Sequence, residues 1–352
     1  MSSSRNGSIG LVADLMLQSR LAELRRPNDQ AFDAALAALA ETDIAITNLE
    51  APLSRRGAPI LKYSNLRSNP EIIEDVRAMG FQAVSLANNH MLDYGPLALQ
   101  DTLEACDRAG VLHTGVGANL TEALGPVWFE VGGKQVAFIS VSCTLPPGSE
   151  ATADSPGMVP IRILVSLEVD VNLFSEQPGT MPTVRTWTRK EDEQVVLDHI
   201  RALRQAADLV IVAVHWGSPP YWLSPFQGRM VEYQQPLGRA FIEAGADVVY
   251  GHHSHALNGV EVYQGKPIFY SAGNFIFEQP RIHMEPESML VQLFLDDTLE
   301  ISIVPLYIDE RGLPELATGE LAAHVLNLLA EFSRPFGTRF ERNGDRARLL
   351  LG

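Results

Sequence analysis

Polar side chains that could bind a metal follow the apolar runs of this sequence at five places. Asp14 closes the first run, residues 9–13, and His215 follows the run at 209–214. The other candidates follow three further runs: Asn48 and Glu50 after 44–47; Asn88, Asn89, His90 and Asp93 after 83–87; His252, His253 and His255 after 248–250. Imidazole, carboxylate and amide groups together suit Zn, Mn or Fe and not calcium. Such an ion generates hydroxide near neutral pH, and a neighbouring histidine can donate a proton, which predicts hydrolysis at an acyl or phosphoryl centre.

Each of these residues also has an ordinary structural explanation when it is taken alone. Asp14 could form a turn or cap a helix, and His215 could be a hydrogen-bonded core residue. Five of the nine histidines, however, stand at predicted strand ends. Chance rarely produces such clustering, so the combined pattern favours a site.

The elements between these residues predict how they are positioned. Short β-rich runs alternate with longer amphipathic stretches, which is typical of sheets layered by helices. The predicted strands are 8–15, 44–48, 83–87, 111–114, 209–214 and 248–250, with hairpins at 127–142, 260–271 and 289–305; the predicted helices are 29–41, 69–79 (capped by Asn69), 96–109, 191–206, 235–244 and 321–332. In an α/β fold the carboxyl ends of neighbouring strands meet at one edge. The five strand ends therefore predict a single site.

The middle of the chain departs from this alternation. Residues 145–187 are rich in Pro, Gly, Ser and Thr, and regular alternation resumes after them. We expect an insertion or lid over the site at about 145–190 within a single domain of residues 1–315. Residues 316–352 are predicted to form a C-terminal helix and an Arg-rich surface tail that pack on this domain.

Composition excludes several classes of protein. The 352 residues are 46% apolar and carry 43 acidic against 27 basic side chains, for a net charge of -16. This favours a folded protein and disfavours nucleic acid as a partner. Cys106 and Cys143 lack metal-binding spacing and are predicted to be buried thiols. Without a run of about 18 apolar residues or a cleavable leader, the sequence predicts a cytoplasmic protein that acts on a small molecule or peptide. It leaves the oligomeric state open.

The residues at the strand ends belong to longer motifs that resemble the CapA family, named for capsule and poly-γ-glutamate synthesis. That family shares the fold of calcineurin-like metallophosphoesterases. The matching motifs are ADLML at 13–17, TNLEAP at 47–52, SLANNHMLDYG at 85–95, VHWG at 214–217, GHHSH at 251–255 and GKPIFYSAGNFIF at 265–277. Their order and spacing cover about residues 8–305.

The resemblance implies an α/β fold of four layers, an α-β-β-α sandwich, with the site at strand ends. By position in the motifs, the residues implied as ligands of one or two divalent ions are Asp14, Glu50, Asn89, His215, His253 and His255. His90 stands where the fold holds its catalytic histidine. Asn48, Asn88, Asp93 and Asn274 would orient these groups, and His252 would line the site or support its turn.

Three positions depart from the metallophosphoesterase pattern. Met16 replaces the histidine of an Asp-x-His motif, Glu50 ends an Asn-Leu-Glu segment where Gly-Asp is usual, and Met91 replaces an acid. One metal site has therefore lost ligands. Binding of Mn, Zn or Fe as two ions, one ion or none stays open.

Two enzymatic hypotheses follow, together with a simpler one. The first is a metal-dependent hydrolase of an amide, ester or phosphoester, with His90 as the general acid. The second is a metal-independent epimerase of a peptide α-carbon, with Asp14 or His255 moving the proton. The third is a binding protein with a degenerate site. Aromatic residues at Trp216, Tyr221 and Trp222 could line a substrate pocket or pack on the domain, and His283 could also approach the site.

Overall fold

The computed structural model describes residues 7–217, 228–278 and 284–352. The strands of these residues are β1 (Ser8–Met16), β2 (Ile44–Leu49), β3 (Ala83–Ser85), β4 (Leu112–Thr114), β5 (Val116–Gly117), β6 (Val127–Val131), β7 (Lys134–Ser142), β8 (Gly157–Met158), β9 (Ile163–Glu168), β10 (Thr183–Thr188), β11 (Leu209–His215), β12 (Val248–His252), β13 (Val260–Tyr263), β14 (Lys266–Phe269), β15 (Asn274–Phe277), β16 (Glu287–Leu295), β17 (Leu299–Ile308), β18 (Pro314–Leu316), β19 (Arg339–Asn343) and β20 (Arg346–Leu350). The helices are α1 (Leu21–Leu24), α2 (Gln30–Leu39), α3 (Ile72–Ala78), α4 (Gly95–Ala109), α5 (Leu120–Ala123), α6 (Val171–Glu176), α7 (Lys190–Arg204), α8 (Gln234–Ala244) and α9 (Gly319–Ser333).

Two large mixed sheets form the centre of the molecule. The larger runs in the order β19-β20-β17-β16-β1-β2-β3-β4, with β15 also paired to β1 and β18 to β17. The smaller runs in the order β13-β14-β12-β11-β7-β6. In the larger sheet β1, β2 and β3 are parallel, and in the smaller sheet β7, β11 and β12 are parallel. Each sheet therefore presents a set of carboxyl strand ends on one edge.

The side-chain alternation of the strands separates three apolar layers. On β11, Ile211 packs between the two sheets, whereas its neighbour Val212 packs under the helices. Helices α2, α3 and α4 contribute to the core outside the larger sheet, and α7 and α8 to the core outside the smaller one. The order of layers is helix, sheet, sheet, helix, which confirms the predicted α/β sandwich. Cys106 and Cys143 are buried free thiols, as expected.

Two local predictions are wrong. Helix α3 begins at Ile72, and its N-cap residue is Glu71 without a side-chain cap; Asn69 instead accepts a hydrogen bond from the Ile72 amide through its backbone carbonyl. The predicted surface tail after residue 334 forms strands β19 and β20, and β20 pairs with β17 of the larger sheet. In β20, Arg346 and Arg348 alternate with the buried residues Ala347 and Leu349. This explains the strand, because successive side chains point to opposite faces, so the arginines lie on one face while the other face is buried.

The buried face of β20 gives a test of this correction. Leu349 is 2% exposed and packs between the sheets, so we expect Leu349→Ala to lower the free energy of unfolding by about 2–5 kcal/mol. Arg348→Ala on the same strand removes only an exposed ion pair with Glu300 and should cost less than about 1 kcal/mol. Urea unfolding measures both. Equal urea midpoints for the two variants would contradict the burial of Leu349 and would indicate that residues 346–350 lie on the surface.

Candidate metal centre

Strand register brings the candidate residues of the larger sheet together. Asp14 on β1 lies opposite Asn48 on β2 and opposite Asn274 on β15. The ladder with β15 shifts register directly after Asp14, an irregularity that re-aims side chains at strand ends. In the smaller sheet, His215 on β11 lies opposite His252 on β12. The larger sheet thus contributes carboxylates to this edge, and the smaller sheet contributes imidazoles.

Carboxylates and imidazoles form three overlapping groups at this edge. Within each group the potential ligand atoms lie within 4.8 Å of one another. The groups are Asp14, His215, His252; Glu50, His215, His253; and Asp14, Glu50, His255. Glu50 Oε1 lies 3.6 Å from both His215 Nε2 and His255 Nε2, and Asp14 Oδ2 lies 3.3 Å from His255 Nδ1. Because the groups share members, they form one connected centre.

The environment of Glu50 shows whether this centre fits a cation. The side chain is fully buried, and neither carboxylate oxygen meets a hydrogen-bond partner among the described residues. Burial, and then the charge of Asp14, raise the pKa of Glu50 well above its ordinary value. A buried carboxylate without a partner is costly, and a bound cation removes that cost. The residues present therefore fit a divalent ion.

The neighbouring imidazoles are in the form that binds metal. Burial lowers the pKa of His252 to about 4 and lowers the pKa values of His215 and His253 well below the ordinary value. At neutral pH these rings are uncharged, as metal ligation requires. Burial opposes ionisation of Asp14, but a hydrogen bond from His255, the electrostatic effect of His255 and His252, and a hydrogen bond from the His253 amide outweigh it and lower the pKa of Asp14 to about 2.

A shell of side-chain amides orients the centre. Asn48 Nδ2 donates to Asp14 Oδ1 at 2.8 Å, and Asn274 Oδ1 contacts His255 Nδ1 at 2.9 Å. Asn88 Nδ2 donates to Asn48 Oδ1 at 3.1 Å, while its Oδ1 accepts from the His90 amide. These bonds fix the rotamers of the groups they contact and connect the carboxylates to His90.

Asn89 and His252 both contact His215. Asn89 Oδ1 lies 2.7 Å from His215 Nε2, and His252 Nδ1 lies 2.7 Å from His215 Nδ1. His252 Nδ1 is also 3.7 Å from Asp14 Oδ1. The sequence left the role of His252 open; the structure places its imidazole beside Asp14. Met16 itself packs with Ala51, Leu66 and Phe277 in a small apolar cluster.

The turn after β12 holds two imidazoles in an unusual backbone conformation. His253 has φ 101° and His255 has φ 51°, a region that residues other than glycine rarely adopt. Each such conformation costs about 1–3 kcal/mol, and such strain concentrates at functional sites. The turn directs both histidines into the same centre.

His90 lies at the end of a separate hydrogen-bonded chain. Its Nδ1 lies 2.6 Å from Asp93 Oδ2 and 3.1 Å from Lys62 Nζ; because a carboxylate accepts, the shorter contact places the proton on Nδ1. Lys62 Nζ donates to Asp93 Oδ1 at 2.7 Å and to the Asn89 carbonyl at 2.5 Å. Burial, assisted by the Lys62 charge, lowers the pKa of His90 to about 4 against the opposing effect of Asp93.

Lys62 is the functional residue that sequence reasoning missed. It lies in the loop between β2 and α3, outside every strand end, and its only sequence signal is a lone lysine between Leu61 and Tyr63. Desolvation lowers its pKa despite the proximity of Asp93. The proximity of such a residue to His90 is apparent only once the fold of the loop is known.

The structure decides between the two alternatives that the sequence left open for Trp216. Its indole is fully buried in the core under α7 and α8, donates to the Tyr270 carbonyl at 2.9 Å and stacks on the Tyr270 ring. Its backbone amide donates to the His252 carbonyl and so supports the turn that carries the histidines. Trp216 therefore packs on the domain and is not a wall of a substrate pocket. Tyr221, Trp222 and His283 lie outside the described residues.

A cleft opens over the centre. Lys62, Asn89 and His253 line a cavity of about 810 Å³ whose other walls include β9 and β10 of the predicted insertion. Strands β9 and β10 therefore border the same cavity as Asn89 and His253. Among the described residues, no helix combines the length and apolar character that crossing a membrane requires.

The layered fold and the buried carboxylate–imidazole centre define an α/β-sandwich protein with a site able to hold a metal. A sequence profile of the family described as bacterial capsule synthesis protein PGA_cap matches residues 8–279, and the chain belongs to this family. It is 30% identical to the capsule biosynthesis protein CapA of Bacillus anthracis, over 88% of this chain and 69% of that protein.

Further relatives carry related names. The PGA biosynthesis protein CapA of Bacillus subtilis (strain 168) is 26% identical over 86% of this chain and 72% of its own length. A probable polyglutamine synthesis accessory protein of Mycobacterium tuberculosis is 28% identical over 86% of this chain and 76% of its own length. The resemblance inferred from the motifs is confirmed at the level of the family.

Proposed function

We propose that the protein is a metal-dependent hydrolase that cleaves phosphoester bonds as an accessory to polymer synthesis of the kind that its relatives' names describe. The observation that carries the proposal is Glu50, a buried carboxylate without a hydrogen-bond donor among the described residues, grouped with the imidazoles of His215, His253 and His255, of which His253 lines the open cleft. This arrangement is costly for a binding surface and suited to a cation.

The residues that would hold the ion are Asp14, Glu50, Asn89, His215, His253 and His255, with His252 beside Asp14. When bound, a divalent ion supplies a polarised substrate oxygen and a water of lowered pKa. The amides of Asn48, Asn88 and Asn274 hold the ligands in place through the hydrogen bonds described above.

His90 would act as the general acid toward the leaving group. Asp93 fixes the ring through Nδ1, which leaves Nε2 for the substrate. In the resting protein the low pKa keeps His90 neutral. An anionic substrate against Nε2 favours the imidazolium form, so the proton is taken up with the substrate and then donated. Lys62 lines the same cleft but is paired with Asp93, so the preference for a phosphoester over a neutral amide rests on the cation that the centre would hold.

The epimerase hypothesis, with Asp14 or His255 as the base, has weaker support. It rested on the missing imidazole at Met16, and His252 now stands beside Asp14.

Metal removal tests the proposal. The purified protein is treated with a chelator, reloaded separately with Mn²⁺, Zn²⁺ and Fe²⁺, and assayed on bis(p-nitrophenyl) phosphate and on p-nitrophenyl acetate. We expect phosphoesterase activity to disappear with the metal and to return with at least one ion bound in stoichiometric amount. Undiminished activity in the chelated protein, or faster acetate than phosphoester hydrolysis, would overturn the proposal.

A further inference from the structure

The insertion contributes an unusual amount of exposed apolar surface beside the cleft. Val165 is 61% exposed and Leu167 65% exposed on β9, and Met181 just before β10 is 68% exposed. All three line the cavity above the centre. Isolated exposed apolar side chains are ordinary, but a group on one wall of a cavity marks a binding surface.

The pairing of β9 with β10 shows that this surface is one face of a two-stranded sheet. Val165 lies opposite Thr186, and Leu167 lies opposite Val184; these four residues all line the cavity. Their neighbours Leu164 and Trp187 pair on the opposite face. The alternation therefore provides a wall that faces the cleft and a second face that does not.

The β9–β10 sheet is anchored to the rest of the domain at two points. At the start of β9, the Arg162 guanidinium donates to both oxygens of Asp192 at 2.7 Å. On β10, Glu232 accepts from the Thr186 amide at 3.0 Å and from Arg185 at 3.1 Å. The apolar wall is thus tied to the rest of the chain, and Leu145, Pro146 and Pro147 line the same cavity.

The charges of the lining limit what the cleft can bind. Among the described residues that line it, Lys62 is the only lysine or arginine, and none is an aspartate or glutamate. A polyanion such as polyglutamate would require several cations along its path. A peptide would bring amide and carbonyl groups that the apolar wall cannot satisfy with hydrogen bonds. A hydrocarbon chain requires neither.

We propose that the cleft binds the hydrocarbon chain of an amphiphilic phosphoester whose phosphate lies at the metal centre. Lys62, Asn89 and His253 form the polar base, and the β9–β10 wall with the Pro146–Pro147 loop forms the apolar channel that leads to it. The inference rests on the proposed function for the head group only. The chain specificity follows from the cleft itself.

Alkylphosphonates test the chain specificity because their carbon–phosphorus bond resists hydrolysis. Butyl-, hexyl-, octyl- and decylphosphonate are titrated below their micelle concentrations into the full-length protein with saturating Mn²⁺, and affinity is measured by calorimetry. We expect affinity to rise about threefold to fourfold per methylene, as for burial of an alkyl group. Affinity that is independent of chain length, or no binding of decylphosphonate, would overturn the inference. So would equally tight binding of the peptide acetyl-Leu-Leu-amide.

Two variants of neighbouring residues provide a matched comparison. Val165→Asp places a charge on the cleft wall, and Leu164→Asp places the same charge on the opposite face, where the side chain is 42% exposed. We expect Val165→Asp to abolish the rise of affinity with chain length, and Leu164→Asp to retain the full dependence. Equal behaviour of the two variants would contradict the assignment of this wall.

The outcomes separate this inference from the proposed function. A protein that hydrolyses phosphoesters without preference for chain length retains the proposed function and loses the cleft assignment. A protein that binds longer chains more tightly but hydrolyses no phosphoester retains the cleft assignment and loses the proposed function.

Discussion

Replacement of His90 by Gln is expected to lower kcat by about 10²–10⁴-fold while metal content stays the same. The imidazole is held by Asp93 at 2.6 Å and is absent from the three groups of residues that could share an ion. Its loss should therefore remove proton transfer without removing a ligand. Metal content by mass spectrometry and single-turnover rates on a phosphoester measure the two effects separately.

The size of the loss should depend on the leaving group. An alkoxide leaves poorly without a proton, whereas p-nitrophenolate leaves well, so the variant should be impaired more on an alkyl phosphoester than on a p-nitrophenyl phosphoester. Equal losses on the two substrates would contradict the role of His90 as a general acid. A loss of bound metal in the variant would do so as well.

His113 provides the matched control. It also pairs with an aspartate, since its Nε2 lies 3.1 Å from Asp107 Oδ1, but this pair is on the surface. We expect His113→Gln to change turnover by less than about twofold, because exposed pairs contribute little. Comparison of turnover in the two variants shows whether catalysis depends on the position of His90 or only on the presence of a His–Asp pair.

The sequence could predict this site because its members depend on strand order. Asp14, His215 and the histidines after β12 follow apolar runs, and parallel strands carry such residues to one edge whatever the details of packing. The register of the paired strands then determines which residues lie side by side, as the pairing of Asp14 with Asn48 shows. The four layers followed from the family resemblance, and the structure shows them in β11, whose successive side chains enter two different cores.

Features that depend on tertiary contacts could not be predicted in this way. Lys62 reaches Asp93 from a loop with no regular pattern, and Trp216 turns into the core because its indole finds the Tyr270 carbonyl there. The C-terminal strands were missed because β19 and β20 carry several arginines and pair with a strand that is distant in sequence. The positive charge of these arginines favoured the prediction of a surface tail. The structure instead buries Ala347 and Leu349 in a strand.

Replacement of Glu50 by Gln is expected to abolish stabilisation by metal without changing the stability of the metal-free protein. Burial raises the pKa of Glu50 well above its ordinary value and so favours the neutral carboxyl, for which the glutamine amide is a close replacement. The ion, however, loses a charged ligand. At a metal concentration about 100-fold above Kd, wild-type protein should gain about 2.7 kcal/mol, or about 4 °C in Tm for a chain of this length.

Glu261 serves as the opposite control. It is 3% exposed, but it has partners, since it accepts from Arg239 Nε at 2.8 Å and from the Tyr270 hydroxyl at 2.6 Å. Glu261→Gln should therefore lower the stability of the metal-free protein by about 1–2 kcal/mol, because it weakens hydrogen bonds to a charged group, and should keep the full response of Tm to metal. Thermal unfolding of both variants with and without Mn²⁺ gives the comparison. If Glu50→Gln instead destabilised the metal-free protein and kept the metal response, Glu50 would be a structural carboxylate and the ion would lie elsewhere.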